Sequence, residues 1–324
     1  MTLRIRRRHV LAIGLACLAG MPGGALGYPD RPVTLVVNSA PGGGADTLAR
    51  ALADGLGAAL NGRVIVENRP GAGGNLAGGQ VARARPDGYT LYVADSGTLA
   101  INPTLYASLP FDPMRDFEPI ARLASFPIVL AAHPSTGFRA LQDLIAAAKA
   151  APRTIDYAST GVGSPQHLAA ELLQSATGIE LVHVPYRGGA PAAADLMAGH
   201  VRVGFIGIPP LAPAIRDGRL VGLGITGTTR SPLLPDVPAV AETIPGFEAQ
   251  VWFGLFIPRG TPAAVQERLA TATAAAMGAP AMAEMLDRLG YTAFPGTAAE
   301  LRAFLAAEIA RWGEAVRRSG AKVE

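Results

Sequence analysis

Three glycine-bearing segments have residue types suited to holding an anion. PGGGAD at 41–46 lies between the apolar run 33–37 and a helical pattern that starts near Thr47. Glycines let backbone approach a ligand, and the amides of a helix start, at the positive end of the helix dipole, favour negative charge. The residues concerned are Ser39, Ala40, Pro41, Gly42, Gly43 and Gly44, with Asp46 as helix cap or part of the ligand loop. YASTGVGSPQH at 157–167 offers a second start, because Ser164 before Pro165 has the order of an N-cap and first helical residue. Ser159, Thr160, Gly161, Gly163 and Ser164 would then border a pocket, with His167 one turn on. In DSGTLAINP at 95–103, Ser96, Gly97 and Thr98 follow a strand candidate, where ligands of open α/β sheets collect. Capped turns account for the local pattern as well as ligand loops do; two such loops in different parts of the chain say more than either alone.

Covalent and metal chemistry find no such support. There is no GxSxG and no HExxH, and His133, His167, His183 and His200 lack ligand spacing. No catalytic set, metal or cofactor is therefore expected. PGGGAD lacks the Lys-Ser/Thr pair of a P-loop, and GLGITG at 222–227 leads into TTRSPLLPD where a dinucleotide fingerprint would open a helix.

The elements that must position these loops alternate. Strand candidates are 33–37, 63–66, 90–94, 127–132, 181–184, 201–206, 220–225 and 251–257, mostly apolar without alternation, as strands covered on both faces are. Helical stripes are Leu48/Leu52/Leu56/Leu60, Leu168/Leu172/Ala176, Val265/Leu269/Ala272/Ala276 and Leu301/Phe304/Leu305/Ile309/Trp312/Val316. This predicts an α/β fold with mainly parallel sheets flanked by helices. Pro-rich segments at 102–119 and 231–246 precede two strands and suggest crossovers. Lobe 1 would be 28–126 plus 249–324, lobe 2 127–248, and the ligand cleft would lie between them.

Composition narrows the setting. Among 324 residues, 49% are hydrophobic and 16% charged, which excludes a disordered chain. Residues 1–27 hold Arg4, Arg6, Arg7 and Arg8 and no acid, then an apolar run from Val10 to Met21 and small residues up to Gly27. That is the pattern of an export signal, and it fits either the Sec or the twin-arginine route. Without it the formal charge of +3 becomes slightly negative, so nucleic acid binding has no basic stripe to rest on. The single cysteine, Cys17, lies in that segment, so the remaining chain has no disulfide or thiol chemistry.

A resemblance rests on PGGGAD, VENRPGAGGN (66–75), PDGYTL (86–91), SGTLAINPTLY (96–106), YASTGVGSPQHLAAE (157–171), HVPYRGGAPA (183–192), SPLLPDVPAVAE (231–242) and WFGLFIPRGTP (252–262). From Tyr28 onward the chain resembles the Bug family of tripartite tricarboxylate transporter substrate-binding proteins. The resemblance implies a two-lobed periplasmic-binding-protein fold, a small organic carboxylate gripped by Ala40–Gly44, Ser96–Thr98 and Ser159–Ser164, inner-membrane transporter subunits as partners, and a monomer. Tyr186 is expected as a cleft wall, and Arg187, where the family often has Lys, either as a partner for the carboxylate at the cleft or as a solvated rim charge. Two departures stand out: Asn38-Ser39 replace the usual Pro-Phe, and Ile206 replaces an Asp after Phe205. The second lowers the expectation of an amino acid ligand and favours an unsubstituted acid. A receptor for a membrane signalling protein, or an exported hydrolase on the same scaffold, are the alternatives.

Overall fold

The computed structural model describes residues 27–42 and 44–323. Nearly all of the expected export segment, and Gly43 of the first glycine loop, lie outside the described residues. The elements in chain order are β1 (Val33–Val37), α1 (Gly44–Leu60), β2 (Val64–Asn68), α2 (Asn75–Ala82), β3 (Thr90–Asp95), α3 (Asn102–Leu105), β4 (Phe117–Ala132), α4 (Leu141–Ala150), β5 (Asp156–Ser159) and α5 (Pro165–Thr177). They continue with β6 (Val182–Pro185), α6 (Gly189–Ala198), β7 (Val203–Gly207), α7 (Ile208–Arg216), β8 (Val221–Ile225), β9 (Gln250–Pro258), α8 (Ala263–Met277), α9 (Pro280–Leu289), β10 (Thr292–Gly296) and α10 (Ala298–Ser319).

Two sheets share one strand. β4 is 16 residues long; its first part pairs with β9 and β10, and Ile128–Ala132 pair with β7 and β8. The first sheet has the order β2-β1-β3-β9-β4-β10, and the second β8-β4-β7-β5-β6. Among the described strands, β1 pairs in parallel with β2 and β3, and β5 with β6 and β7. β9 runs antiparallel to β3 and to β4, and β4 runs antiparallel to β7, β8 and β10. The sheets are therefore mixed rather than mainly parallel, because the strands that connect the two halves must run out and back.

This topology aims the loops. β3 and β1 point the same way as β4, which runs into the second sheet, so their carboxyl ends face that sheet. β7 and β5 run opposite to β4, so their carboxyl ends face the first. The segments after β1, β3, β5 and β7 thus converge on the junction.

At the junction Thr226 joins the outgoing and returning chain. Its hydroxyl accepts the Ile128 N–H at 2.8 Å and donates to the Ala249 carbonyl at 2.6 Å, while its own N–H and C=O pair with Ile128 and Ala249. It is fully buried.

The apolar stripes behave as cores. Leu48, Leu52, Leu56 and Leu60 bury α1 against the first sheet. In α5 the buried residues are His167, Leu168, Ala169, Ala170 and Leu173; Leu172 is half-buried and Ala176 exposed, so the stripe expected there is rotated. A 3,3 spacing from His167 selects that face. α10 carries the expected stripe plus Glu308, whose carboxylate accepts the indole N–H groups of Trp252 and Trp312 at 2.8 and 2.9 Å and is paired with Arg311. No helix among the described residues is long and apolar enough to cross a membrane.

Candidate functional site

On the first sheet the loop after β1 is stapled from below. Asn68, at the end of β2, donates to the Ser39 carbonyl at 3.0 Å and to Asp46 Oδ1 at 2.8 Å. Asp46 Oδ2 accepts the Gly42 N–H and the Arg50 Nε–H, both at 2.9 Å. Burial opposes ionisation there, but the hydrogen bonds from Arg50, Gly42 and Asn68 hold this carboxyl below its ordinary range. α1 begins at Gly44, earlier than expected, and Asp46 lies inside its first turn. Asp46 is thus not the N-cap that its spacing suggested; it reaches back to hold the loop. Ala40, Pro41 and Gly42 are the exposed tip.

After β3 the helix start is already occupied. Asp95 Oδ1 accepts the Thr98 N–H at 2.8 Å, and the Thr98 hydroxyl accepts from Asn38 Nδ2 at 2.6 Å and donates to the Gly73 carbonyl at 3.1 Å. Thr98 is fully buried, so the amide and hydroxyl expected to meet a ligand instead fasten this turn to its neighbours. The hydroxyls of Ser39 and Ser96 are different: each is buried with no hydrogen-bond partner among the described residues. Native proteins seldom leave such groups unsatisfied.

On the second sheet Ser164 caps α5 as expected, accepting the His167 N–H at 3.2 Å and donating to the Gly161 carbonyl at 2.7 Å. Thr160 donates to Gln166 at 2.8 Å. His167 Nδ1 accepts the Gly163 N–H at 3.0 Å, which requires that nitrogen to be unprotonated. Its ring stacks on His183 with centroids 4.0 Å apart, and Tyr157 stacks at 5.0 Å from His183. Burial, then the neighbouring His183, pushes His167 down to about 3, and burial pushes His183 down to about 4. Both rings are neutral at ordinary pH, so the 3.7 Å approach of His167 Nε2 to Glu171 is no ion pair; Glu171 accepts from the Tyr157 hydroxyl instead, at 2.9 Å.

Ser159 Oγ lies 2.6 Å from His183 Nε2, the separation of a nucleophile and its base. Ser159 is nonetheless fully buried, and its oxygen also accepts the Gly161 N–H, so the pair shapes the turn. Gly163, at φ +73°, packs against α3 of the first half: a β-carbon there would fall 2.2 Å from a Leu105 methyl. Tyr186 is half-buried and its hydroxyl donates to Asp195 at 2.8 Å; burial, then that bond, pushes it up to about 12. Ile206 is fully buried within β7.

The structure brings in residues that spacing did not reveal. Asn38 donates to Asp95 Oδ2 at 3.0 Å, which gives a role to one of the two unusual residues before the glycine turn. Asp95 immediately precedes Ser96 at a strand end, a position that could have drawn attention to it. Tyr291 stacks on Phe126 with centroids 4.7 Å apart, and its hydroxyl lies where a β-carbon on Gly44 would have to go. Nothing in its sequence surroundings marks it. Cavities lie elsewhere, among them one of about 650 Å³ between β4, α8 and β10, and a groove of about 730 Å³ beside the junction between Thr228–Leu233 and Tyr291–Phe294. None of the anticipated loop residues lines either.

With converging loops, occupied helix starts and two unpartnered hydroxyls in place, comparison with known proteins decides the family. A family model described as "Tripartite tricarboxylate transporter family receptor" matches residues 48–321. The chain belongs to this family. Protein BugT of Bordetella pertussis is 36% identical over 299 residues, covering 92% of each chain. Among solved structures, MatC from Rhodopseudomonas palustris with bound malate has a TM-score of 0.75 at 33% identity, over 89% of this chain and all of that one. An R. palustris protein solved with adipate has a TM-score of 0.78 at 34% identity, over 91% of this chain and all of that one. Members of this receptor family are solute-binding proteins of the periplasm, and the two-sheet architecture here is theirs.

Proposed function

We propose that this receptor captures a small organic carboxylate between two lobes and delivers it to inner-membrane transporter subunits, without catalysing its conversion. The reading rests on one observation: loops from the carboxyl ends of both sheets converge on the junction, where Ser39 and Ser96 hold hydroxyls with no hydrogen-bond partner among the described residues. The malate and adipate bound to the two related R. palustris proteins support the ligand class. The lobes we assign are 28–126 with 249–324, and 127–248. Contacts to the carboxylate are assigned to Ser39–Gly44, Ser96 and Gly97 on one side and Thr160–Ser164 on the other, with Tyr186 as a cleft wall. The residues before Tyr28 are assigned to export.

Thermal unfolding of residues 28–324 with mono- and dicarboxylates, and with the matching amides, tests this. At a hundredfold excess over Kd a ligand adds about 2.7 kcal/mol to the folded state. An acid that raises the melting temperature while its amide does not supports the reading. Equal shifts by acid and amide would remove the carboxylate from it, and turnover of a bound acid would remove the purely binding role.

A further inference from the structure

Asp95 ends β3 with its side chain half-exposed at the wall that faces the second sheet. Both carboxylate oxygens are pinned, Oδ1 by the Thr98 N–H at 2.8 Å and Oδ2 by Asn38 at 3.0 Å, and each keeps a further acceptor site. Among the described residues no Lys, Arg or His makes an ion pair with it. The contrast with Asp46, whose charge is matched by Arg50 at 2.9 Å, is direct. The charge of Asp95 is felt nearby: after burial, it is the next influence pushing Tyr291 up to about 12. Next to it in the chain is Ser96, and Asn38, which holds it, precedes Ser39; neither serine hydroxyl has a hydrogen-bond partner among the described residues.

A ligand carboxylate set against Asp95 would be repelled at short range in a site closed from water. A hydrogen-bond donor there would complete the open acceptor sites of an anchored, uncompensated anion. Of the contacts assigned above, the carboxylate then takes Ser39–Gly44 and Thr160–Ser164, and the donor beside it takes Asp95, next to Ser96 and Gly97. Resting on the receptor reading above, we propose that the ligand is a carboxylate bearing a donor on the adjacent carbon, an ammonium or a hydroxyl, and that Asp95 is the residue that selects it. The expectation of an unsubstituted acid considered position 206 alone; Ile206 is buried, whereas Asp95 supplies a carboxylate on the opposite wall. Its unmatched charge favours the ammonium over the hydroxyl.

Two matched series test this by calorimetric titration of the mature chain: succinate, malate and aspartate, and propionate, lactate and alanine. Within a series only the substituent changes, from hydrogen to hydroxyl to ammonium. We expect a substituted member to bind at least about tenfold more tightly than its unsubstituted partner, and Asp95→Asn to cut that ratio to about threefold or less while the unliganded melting curve remains cooperative. If Asp95→Asn does not fold, Asn38→Ala keeps the charge but frees the carboxylate, and the ratio should fall in the same direction. Equal affinity across a series, or a ratio unchanged by the substitution, overturns the proposal and leaves the carboxylate reading standing. Binding only of longer unsubstituted acids has the same meaning. Failure of every carboxylate to bind overturns both.

Discussion

His167 gives the residue scale its sharpest test. Its neutral ring holds the Gly163 N–H, with His183 stacked on one side and Glu171 and Tyr157 beyond. Burial and His183 push His167 down to about 3, from an ordinary histidine value of 6.5. Between those values the unfolded chain binds a proton that the folded protein refuses. The stabilisation is therefore fully present above pH 6.5 and is lost progressively as pH falls toward 3. We expect unfolding free energy to drop between pH 7 and pH 5, with His167 accounting for about 2 kcal/mol of the drop. His167→Gln, which can still accept from Gly163, should flatten the profile by about that amount in urea titrations; an unchanged difference between the two pH values would refute it. At this scale the sequence was informative where interactions are local. Ser164 and Pro165 announced the cap, and His167 was placed one turn in. The Asn38–Asp95 pair, 57 residues apart, has no local signature, because only the pairing of β1 with β3 brings its members together.

Among the elements, α10 shows how a polar residue can sit in a core stripe. Glu308 is 5% exposed and accepts both buried indole N–H groups, so it ties α10 to β9 as well as to its own next turn. Removing it strands two donors and the charge of Arg311. Glu308→Ala should cost about 3 kcal/mol or more in chemical denaturation, whereas Leu305→Ala nearby loses only apolar packing. A cost below about 1 kcal/mol would mean that water reaches the indoles. The heptad-like spacing of Leu301, Leu305, Trp312 and Val316 was legible, but nothing in it marked Glu308 as part of the same buried face. Two strands, β5 and β10, and the first part of β4 also escaped notice for physical reasons. DYAS at 156–159 is short and polar at both ends, and the first part of β4 carries Pro119, Arg122 and Ser125, which interrupt the apolar run on which strand recognition depends. β10 has Pro295 and a shifted register, as edge strands tolerate.

For the whole molecule the crossing point matters most. Thr226 holds the outgoing strand at Ile128 and the returning chain at Ala249 with one hydroxyl. Thr226→Val keeps the shape and removes both bonds, leaving a buried N–H and a buried carbonyl unpaired; we expect a loss of about 1–3 kcal/mol in unfolding free energy. We also expect small-angle scattering without ligand to show a larger radius of gyration than the parent, and saturating ligand to restore it. Equal radii in the two unliganded proteins would show that Thr226 does not restrain the lobes. The order in which the chain is synthesised adds a different consequence. β9 lies between β3 and β4 in the first sheet, yet it is Gln250–Pro258. Until a ribosome has passed that point, β3 and β4 have no partner to join them, and each presents an open apolar edge. The second sheet, completed by β8 at Ile225, can close first. A nascent chain stalled before residue 250 would therefore hold one finished sheet and one split sheet, an invitation to chaperones or to aggregation that the full-length chain withdraws only in its last quarter.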